Sequence, residues 1–401
     1  MHIVINILGI VVFLAIAIAF SKKRREIHWR MVGSLLIMNF ILAWFLTQFF
    51  IGREIVKGAA QGFTWLVNIS YEGIAFAFPD WVHVPQMNFF TSALLPILMV
   101  VPLFDIFSYI GLLPFIIRWV GRALAFVSHA PKFEAFFSIE MMFLGSTEAL
   151  AVSKHQLQIM KSERNLTLAM MSMSCVTASL VGVYIKMMPP EFILIAVPLN
   201  VVNALIVSSL LNPVKVPPEE DIVAKVSDTN ENGKREPFFS FLGTSILGSG
   251  RLVLIIAANV IAFVSLAAFI DHVLALFTPA LSLESILGVI MFPFAWLMGL
   301  DFNEAFQLAQ YMGTKLVTNE FVVMLQVGPI IDNFSQHMRG VLTVFMTSFA
   351  NFSTLGMVLG AFRSLVSPEK GRLVPANALY LILSGILVSL LSAAIAGLFI
   401  W

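Results

Sequence analysis

Two short stretches set carboxylates where hydrocarbon is expected. In FLGSTEALAV (143–152), Ser146, Thr147 and Glu148 interrupt an apolar run, and in LVTNEFVVML (316–325), Thr318, Asn319 and Glu320 do the same. Hydroxyls, a carboxamide and carboxylates placed together can match the donors and acceptors of a polar solute. An ionisable residue inside a bilayer costs about 2.5 kcal/mol or more on insertion scales, so it normally faces a cavity or a partner and marks a transport pathway. The duller alternative is a wet loop end carrying an ordinary surface carboxylate. Because the triplet occurs twice, the functional reading is preferred for both Glu148 and Glu320.

The surroundings of these triplets follow from composition. Hydrophobic residues make up 59% of the 401 and charged residues 12%, and several runs exceed the roughly 18 apolar residues that cross a bilayer. The chain is therefore an all-α polytopic membrane protein. A net charge of +1 gives no footprint for nucleic acid, and a single cysteine, Cys175, excludes an intrachain disulfide.

Charge bias orients the spans. The first run, His2 to Phe20, is followed by Lys22, Lys23, Arg24 and Arg25, which puts that end in the cytoplasm and the N-terminus outside. A second span is expected near Met31–Ile51, a mixed outer segment at Gly52–Asn88, and a third span near Phe89–Ile110. LPFIIRWVGRALAFVSHAPKF, with Arg118, Arg122 and Lys132 among apolar residues, suits a helix lying in the interface. A short broken segment follows at Phe133–Val152, interrupted by Glu140 and the Gly145–Glu148 run. Hydropathy then reads continuous spans at Leu168–Met188, Phe192–Leu211, Leu252–Leu276, Val341–Ala361 and Leu379–Phe399. The loop 212–237 is polar, disorder-like in composition and cytoplasmic by parity. Eight crossings result, with both termini outside and Arg363, Lys370 and Arg372 inside.

The two interrupted regions superpose as sequence. Each polar triplet precedes a span rich in small polar residues, MSMSCVTASLVG after the first and TSFANFSTLGM after the second. Broken segments at matching places in two halves point to the binding site of a secondary transporter, because helix ends at mid-membrane offer unpaired N–H and C=O groups to a solute. By parity the first re-enters from inside and the second from outside, so the repeats are inverted.

The G-x-T-E at 145–148, KLVTNEF at 315–321 and SFANFS at 348–353 resemble the concentrative nucleoside transporter family, over essentially the whole chain. The resemblance implies eight transmembrane helices, an interfacial helix, two re-entrant hairpins in inverted repeat, a homotrimer in the cell membrane, and an elevator-type movement of the hairpin domain against a scaffold. The division it suggests is 1–111 for helices 1–3 on the scaffold side, 112–132 for the interfacial helix, and 133–188 for the first hairpin with helix 4. Residues 189–285 hold helices 5 and 6 with the loop 212–237, residues 286–362 the second hairpin with helix 7, and residues 363–401 the last loop and helix 8. Carried over by position, nucleobase recognition falls on Ser146, Thr147, Glu148, Leu180 and Phe349. Ribose recognition falls on Glu320, Asn351 and Thr354.

Two departures carry further expectations. Many family members have glutamine where this chain has Ser146, so the base pocket should be roomier and suit a purine better than a pyrimidine. The positions that match the family's sodium site are Met141 and Cys175, neither a hard oxygen ligand. No metal or cofactor is expected, and the coupling ion is expected to be H+. Glu148 or Glu320 would carry it, because burial disfavours the charged form of a carboxyl group and lets it load a proton. Sodium coupling or a pyrimidine preference is the alternative. An enzyme acting on lipid-linked substrates is a distant one, and no H-E-x-x-H or paired-aspartate cluster supports it. A channel would need no inverted broken repeats. Among the other polar residues, His155 is expected to solvate the hairpin exit, and Asp301 and Glu304 to face water. Lys315 is expected to snorkel or to pair with Glu304 or Glu320.

Overall fold

The computed structural model describes residues 2–85, 87–223, 236–278 and 281–401. Residues 224–235 of the polar loop lie outside the described residues. All regular structure among the described residues is helical. The chain opens with α1 (His2–Ala19) and α2 (Trp29–Thr47), both predominantly apolar. The mixed segment expected outside contains one 28-residue helix, α3 (Phe50–Ala77), followed by the single turn α4 (Pro79–Val82). Its length escapes hydropathy because only one stripe, Val56, Val67, Ser70 and Ile74 among it, is buried. The third span is a π-turn (Phe90–Leu94) running into α5 (Ile97–Tyr109).

The helix expected in the interface is α6 (Leu112–Ser128). Leu113, Ile117, Gly121, Leu124 and Ser128 form its buried stripe while Phe115, Trp119 and Phe126 are exposed. Gly121 lets it close on α7 (Lys132–Leu144), since an added Cβ would stand 3.1 Å from the Phe136 Cα.

Breaks then follow in the pattern of the repeat. α7 ends at Gly145, whose φ of 93° lies in the left-handed region that glycine adopts without strain. The chain restarts as α8 (Ser146–Val152) and α9 (Lys154–Ile159). The run expected as one span at Leu168–Met188 is split into α10 (Ser162–Met171) and α11 (Ala178–Ile185). Small hydroxyls cause and satisfy this break. Ser172 donates to the Leu168 carbonyl at 2.8 Å, and Thr177 caps α11 by accepting from the Ser179 N–H.

After α12 (Pro190–Leu211) and the 38-residue α13 (Phe238–Ala275), α14 (Leu283–Trp296) packs closely on α15 (Phe302–Val317). The second tip, Thr318–Asn319, separates α15 from α16 (Glu320–Val327), which Asn319 caps through Val322 N–H at 3.1 Å. The expected span at Val341–Ala361 is likewise two helices, α17 (Gln336–Met346) and α18 (Phe352–Leu365), the second capped by Asn351. Averaged hydropathy cannot detect these splits, because serine, threonine and one asparagine barely lower the mean of an apolar window. A short α19 (Pro368–Gly371) leads to α20 (Ala378–Gly397).

Six helical stretches among the described residues are long and apolar enough to cross a membrane by length and composition: 2–19, 29–47, 90–109, 190–211, 238–275 and 368–397. α12 is the centre of the packing, touching α1, α2, α3, α7, α10, α17 and α20. α13 pairs mainly with α5 and leaves Phe239, Leu247, Leu254 and Ile261 exposed.

A buried ion pair ties the base of the first broken segment. Arg164 donates from Nε and Nη2 to the two Glu134 oxygens at 2.8 and 2.7 Å, and from Nη1 to the Glu220 carbonyl at 3.0 Å. Removing one partner of such a pair leaves an uncompensated buried charge, which costs about 3–5 kcal/mol. Arg164→Leu is therefore expected to lower the melting temperature sharply in detergent. The double variant Arg164→Leu with Glu134→Leu should recover much of the loss.

Candidate functional site

The two tips and the two unwound stretches meet at one cavity of about 490 Å³. Its lining includes Gly145 to Glu148 from the first tip, Thr177, Ser179 and Leu180 from the start of α11, Asn319 and Glu320 from the second tip, and Phe349, Asn351, Ser353 and Thr354 from the start of α18. The start of each of four short helices thus faces one space. Such starts carry N–H groups with no intrahelical partner, which explains why polar residues gather there. Each repeat also leans on the other: α18 packs against α8, and Tyr184 of α11 meets Phe321 of α16 edge to face at 5.2 Å.

All eight residues expected at the site line this cavity, Ser146, Thr147, Glu148, Leu180, Glu320, Phe349, Asn351 and Thr354. Glu320 is the most constrained. It accepts from the Tyr184 hydroxyl at 3.0 Å through Oε1 and from the Asn351 amide at 3.0 Å through Oε2. Asn351 meanwhile accepts from Thr354 N–H at 2.8 Å through Oδ1, so its amide orientation is fixed by two different partners. Glu148 and Thr147 are open to the cavity, whereas Ser146 is buried and donates to the Ser172 carbonyl at 2.8 Å. Phe349 and Leu180 supply apolar wall.

Lys315 departs from one of its expectations, snorkelling. It does not reach the interface, being fully buried, and its ammonium donates to the Phe345 carbonyl and the Ser348 hydroxyl, each at 2.6 Å, at the C-terminal end of α17. A cation at a helix C-terminus meets the negative end of its dipole. Its charge also acts on Glu320. Asp301 is exposed and caps α15, accepting from Glu304 N–H at 2.8 Å, and His155 is exposed.

Met141 and Cys175 lie outside the cavity lining, fully buried. Ser172 Oγ points to Met141 Sδ at 3.6 Å, and the Ser172 carbonyl already accepts from Ser146. A sodium ion would need hard oxygen ligands. The two positions that match the family's sodium site thus present a thioether and a thiol, neither a hard oxygen ligand, while the nearby Ser172 and Thr177 hydroxyls and the Phe143 carbonyl are engaged in hydrogen bonds.

The structure adds residues that sequence reasoning missed. α5 and α13 form a further wall with Asp105, Ser108, Thr244, Ser245, Ser249 and Asn259. One signal was available: Asp105 is the single charged residue in ILMVVPLFDIFSY.

Comparison with known proteins decides the family. Residues 8–81 match the profile for the N-terminus of the Na+ dependent nucleoside transporters, and residues 192–397 the profile for their C-terminus. The chain belongs to the concentrative nucleoside transporter family. This family member is 41% identical over 401 residues, all of both chains, to the purine nucleoside transport protein NupG of Bacillus subtilis. It is 26% identical, over 98% of its length and 97% of the relative's, to the nucleoside permease NupC of Helicobacter pylori. Among solved structures, CNTnw in an inward-facing substrate-bound state superposes with a TM-score of 0.92 at 22% identity, covering 100% of this chain and 98% of that one. An outward-facing variant of the same protein gives 0.92 at 23%, covering 100% and 99%. The transporter's fold is thus that of this family, and it is a multi-pass membrane protein.

Proposed function

We propose that the chain imports purine nucleosides by proton symport. The observation that carries this reading is the convergence of all eight expected recognition residues on one cavity. The base would lie against Ser146, Thr147 and Glu148, its flat faces between Leu180 and Phe349. The ribose hydroxyls would donate to Glu320 and Asn351 Oδ1, with Thr354 beside them. Hydroxyl donors suit a carboxylate acceptor, and charge-assisted bonds of this kind are the stronger ones.

Purine preference is supported by the 41% identity to a protein named for purine nucleosides and by Ser146 itself. Its short side chain turns away to the Ser172 carbonyl and leaves the space a glutamine would fill. Proton coupling is supported by the poor sodium site at Met141 and Cys175. Glu320 already accepts hydrogen bonds from two donors, the Tyr184 hydroxyl and the Asn351 amide, the pattern of an acceptor-only carboxylate. We therefore place the travelling proton on Glu148 rather than Glu320.

The movement would be an elevator between eight-helix topologies with two re-entrant hairpins, both termini outside the cell. Packing supports placing α1, α2, α12 and α20 with the hairpins, and α5 with α13 as the fixed wall. This differs from a division that keeps 1–111 together. The exposed apolar side of α13 is where copies would meet in a homotrimer.

Uptake of labelled inosine into proteoliposomes tests the substrate reading. Unlabelled uridine should compete at least about tenfold less well than unlabelled inosine, since pocket size and unpaired polar groups both count against it. Ser146→Gln should lower inosine uptake about tenfold and narrow that gap. Equal competition by uridine and inosine in the wild type would overturn the purine reading.

A further inference from the structure

The cavity has an acidic group on its α5–α13 side that the recognition scheme above does not use. Asp105 stands alone as a charge in an apolar membrane helix, a placement that is costly and marks function by default. Ser245 of α13 donates to its Oδ2 at 2.5 Å and fixes the side chain. Oδ1 has no hydrogen-bond partner among the described residues, and Asp105 lines the cavity. α5 packs against α11, whose first turn supplies Leu180, so Asp105 enters the cavity from the side where the base is expected.

We propose that Asp105 reads the nucleobase edge and ranks purine nucleosides as guanosine, then inosine, then adenosine. The proposal deepens the carrier reading and rests on it. An ionised aspartate only accepts hydrogen bonds. Guanine offers N1–H and its exocyclic amino group side by side, two donors that match Oδ1 and the unused lone pair of Oδ2. Hypoxanthine offers N1–H alone. Adenine turns the lone pair of N1 towards the same place, and two acceptors facing each other in a closed site repel.

The competing explanation is that Asp105 and Ser245 only join α5 to α13, as polar pairs do between membrane helices. Asp105→Asn separates the two, because the amide still bonds Ser245 but loses the charge and presents a donor in one of its two orientations. The experiment is inhibition of labelled inosine uptake in proteoliposomes by unlabelled guanosine, inosine and adenosine. In the wild type, half-inhibition by guanosine is expected at a concentration about tenfold below inosine, and by adenosine about tenfold above it, the effect of one bond to a charged group at each step. In Asp105→Asn the three values should fall within about threefold of one another, with gel-filtration profile and melting temperature showing the variant folded. Equal competition by the three in the wild type overturns the proposal without any variant. Ranking that persists in Asp105→Asn overturns it too. Absence of inosine uptake in the wild type would instead overturn the carrier reading beneath it.

Discussion

Glu320→Ala is expected to abolish inosine accumulation, with uptake at low substrate falling by at least about a hundredfold. Glu320 lines the cavity and would accept from the ribose hydroxyls, and each hydrogen bond to a charged group is worth about 1.5–3 kcal/mol. Two such bonds amount to about 3 kcal/mol or more, or two decades at about 1.4 kcal/mol per decade. The truncation also strands the Tyr184 hydroxyl and the Asn351 amide, which now donate to the carboxylate at 3.0 Å each. A purely structural loss would look similar in uptake alone. The discriminating readout is therefore the ratio of inhibition by inosine and by 2′,3′-dideoxyinosine. In the wild type inosine should win by about a hundredfold. In Glu320→Gln, a gentler change that keeps the shape, the ratio should shrink towards unity. A ratio unchanged by Glu320→Gln would remove this residue from ribose recognition.

The second large effect concerns the coupling ion. Wild-type uptake is expected to proceed at the same rate in sodium-free buffer, to rise as the outside is made acidic relative to the inside, and to collapse to simple equilibration when a protonophore is added. The sign follows from import: a carrier that must be protonated to travel loaded gains occupancy from outside acid and releases the proton inside. The physical ground is at Met141 and Cys175, both buried, and at the Ser172 carbonyl, which already accepts from Ser146. Hard cations are held by oxygen, not by thioether or thiol sulfur. Strict dependence on sodium would contradict this part of the account and would require a cation site elsewhere. Glu148→Gln is the companion experiment, since an amide cannot carry the proton. It should remove the response to the pH gradient while exchange of inosine across the bilayer persists at a reduced rate.

The residues that line the cavity were more legible in the sequence than the helix breaks around them. Ser146 to Glu148 and Glu320 stood out because polar groups in an apolar run have few explanations and because the pattern repeats. Phe349, Leu180, Asn351 and Thr354 came from the family resemblance, and the structure brings them to the same cavity. The breaks at 172–177 and 347–351 were hidden from hydropathy, since they depend on where hydroxyl and amide caps fall rather than on mean polarity. The snorkelling expected of Lys315 failed because a lysine stem can run in any direction, and only tertiary packing brings it to the end of α17. Asp105 was passed over because one acid in a long apolar span does not disturb the pattern, and its role depends on a partner 140 positions away, Ser245.

The account turns on one claim, that a nucleoside occupies the cavity between the two tips with its base on the first and its ribose on the second. A structure of the protein saturated with inosine tests it most directly. The account predicts the purine ring between Leu180 and Phe349 with its edge at Ser146 to Glu148, and the ribose hydroxyls within hydrogen-bond distance of Glu320 and Asn351. Inosine found outside this cavity, or bound with its ribose on the first tip, would contradict it.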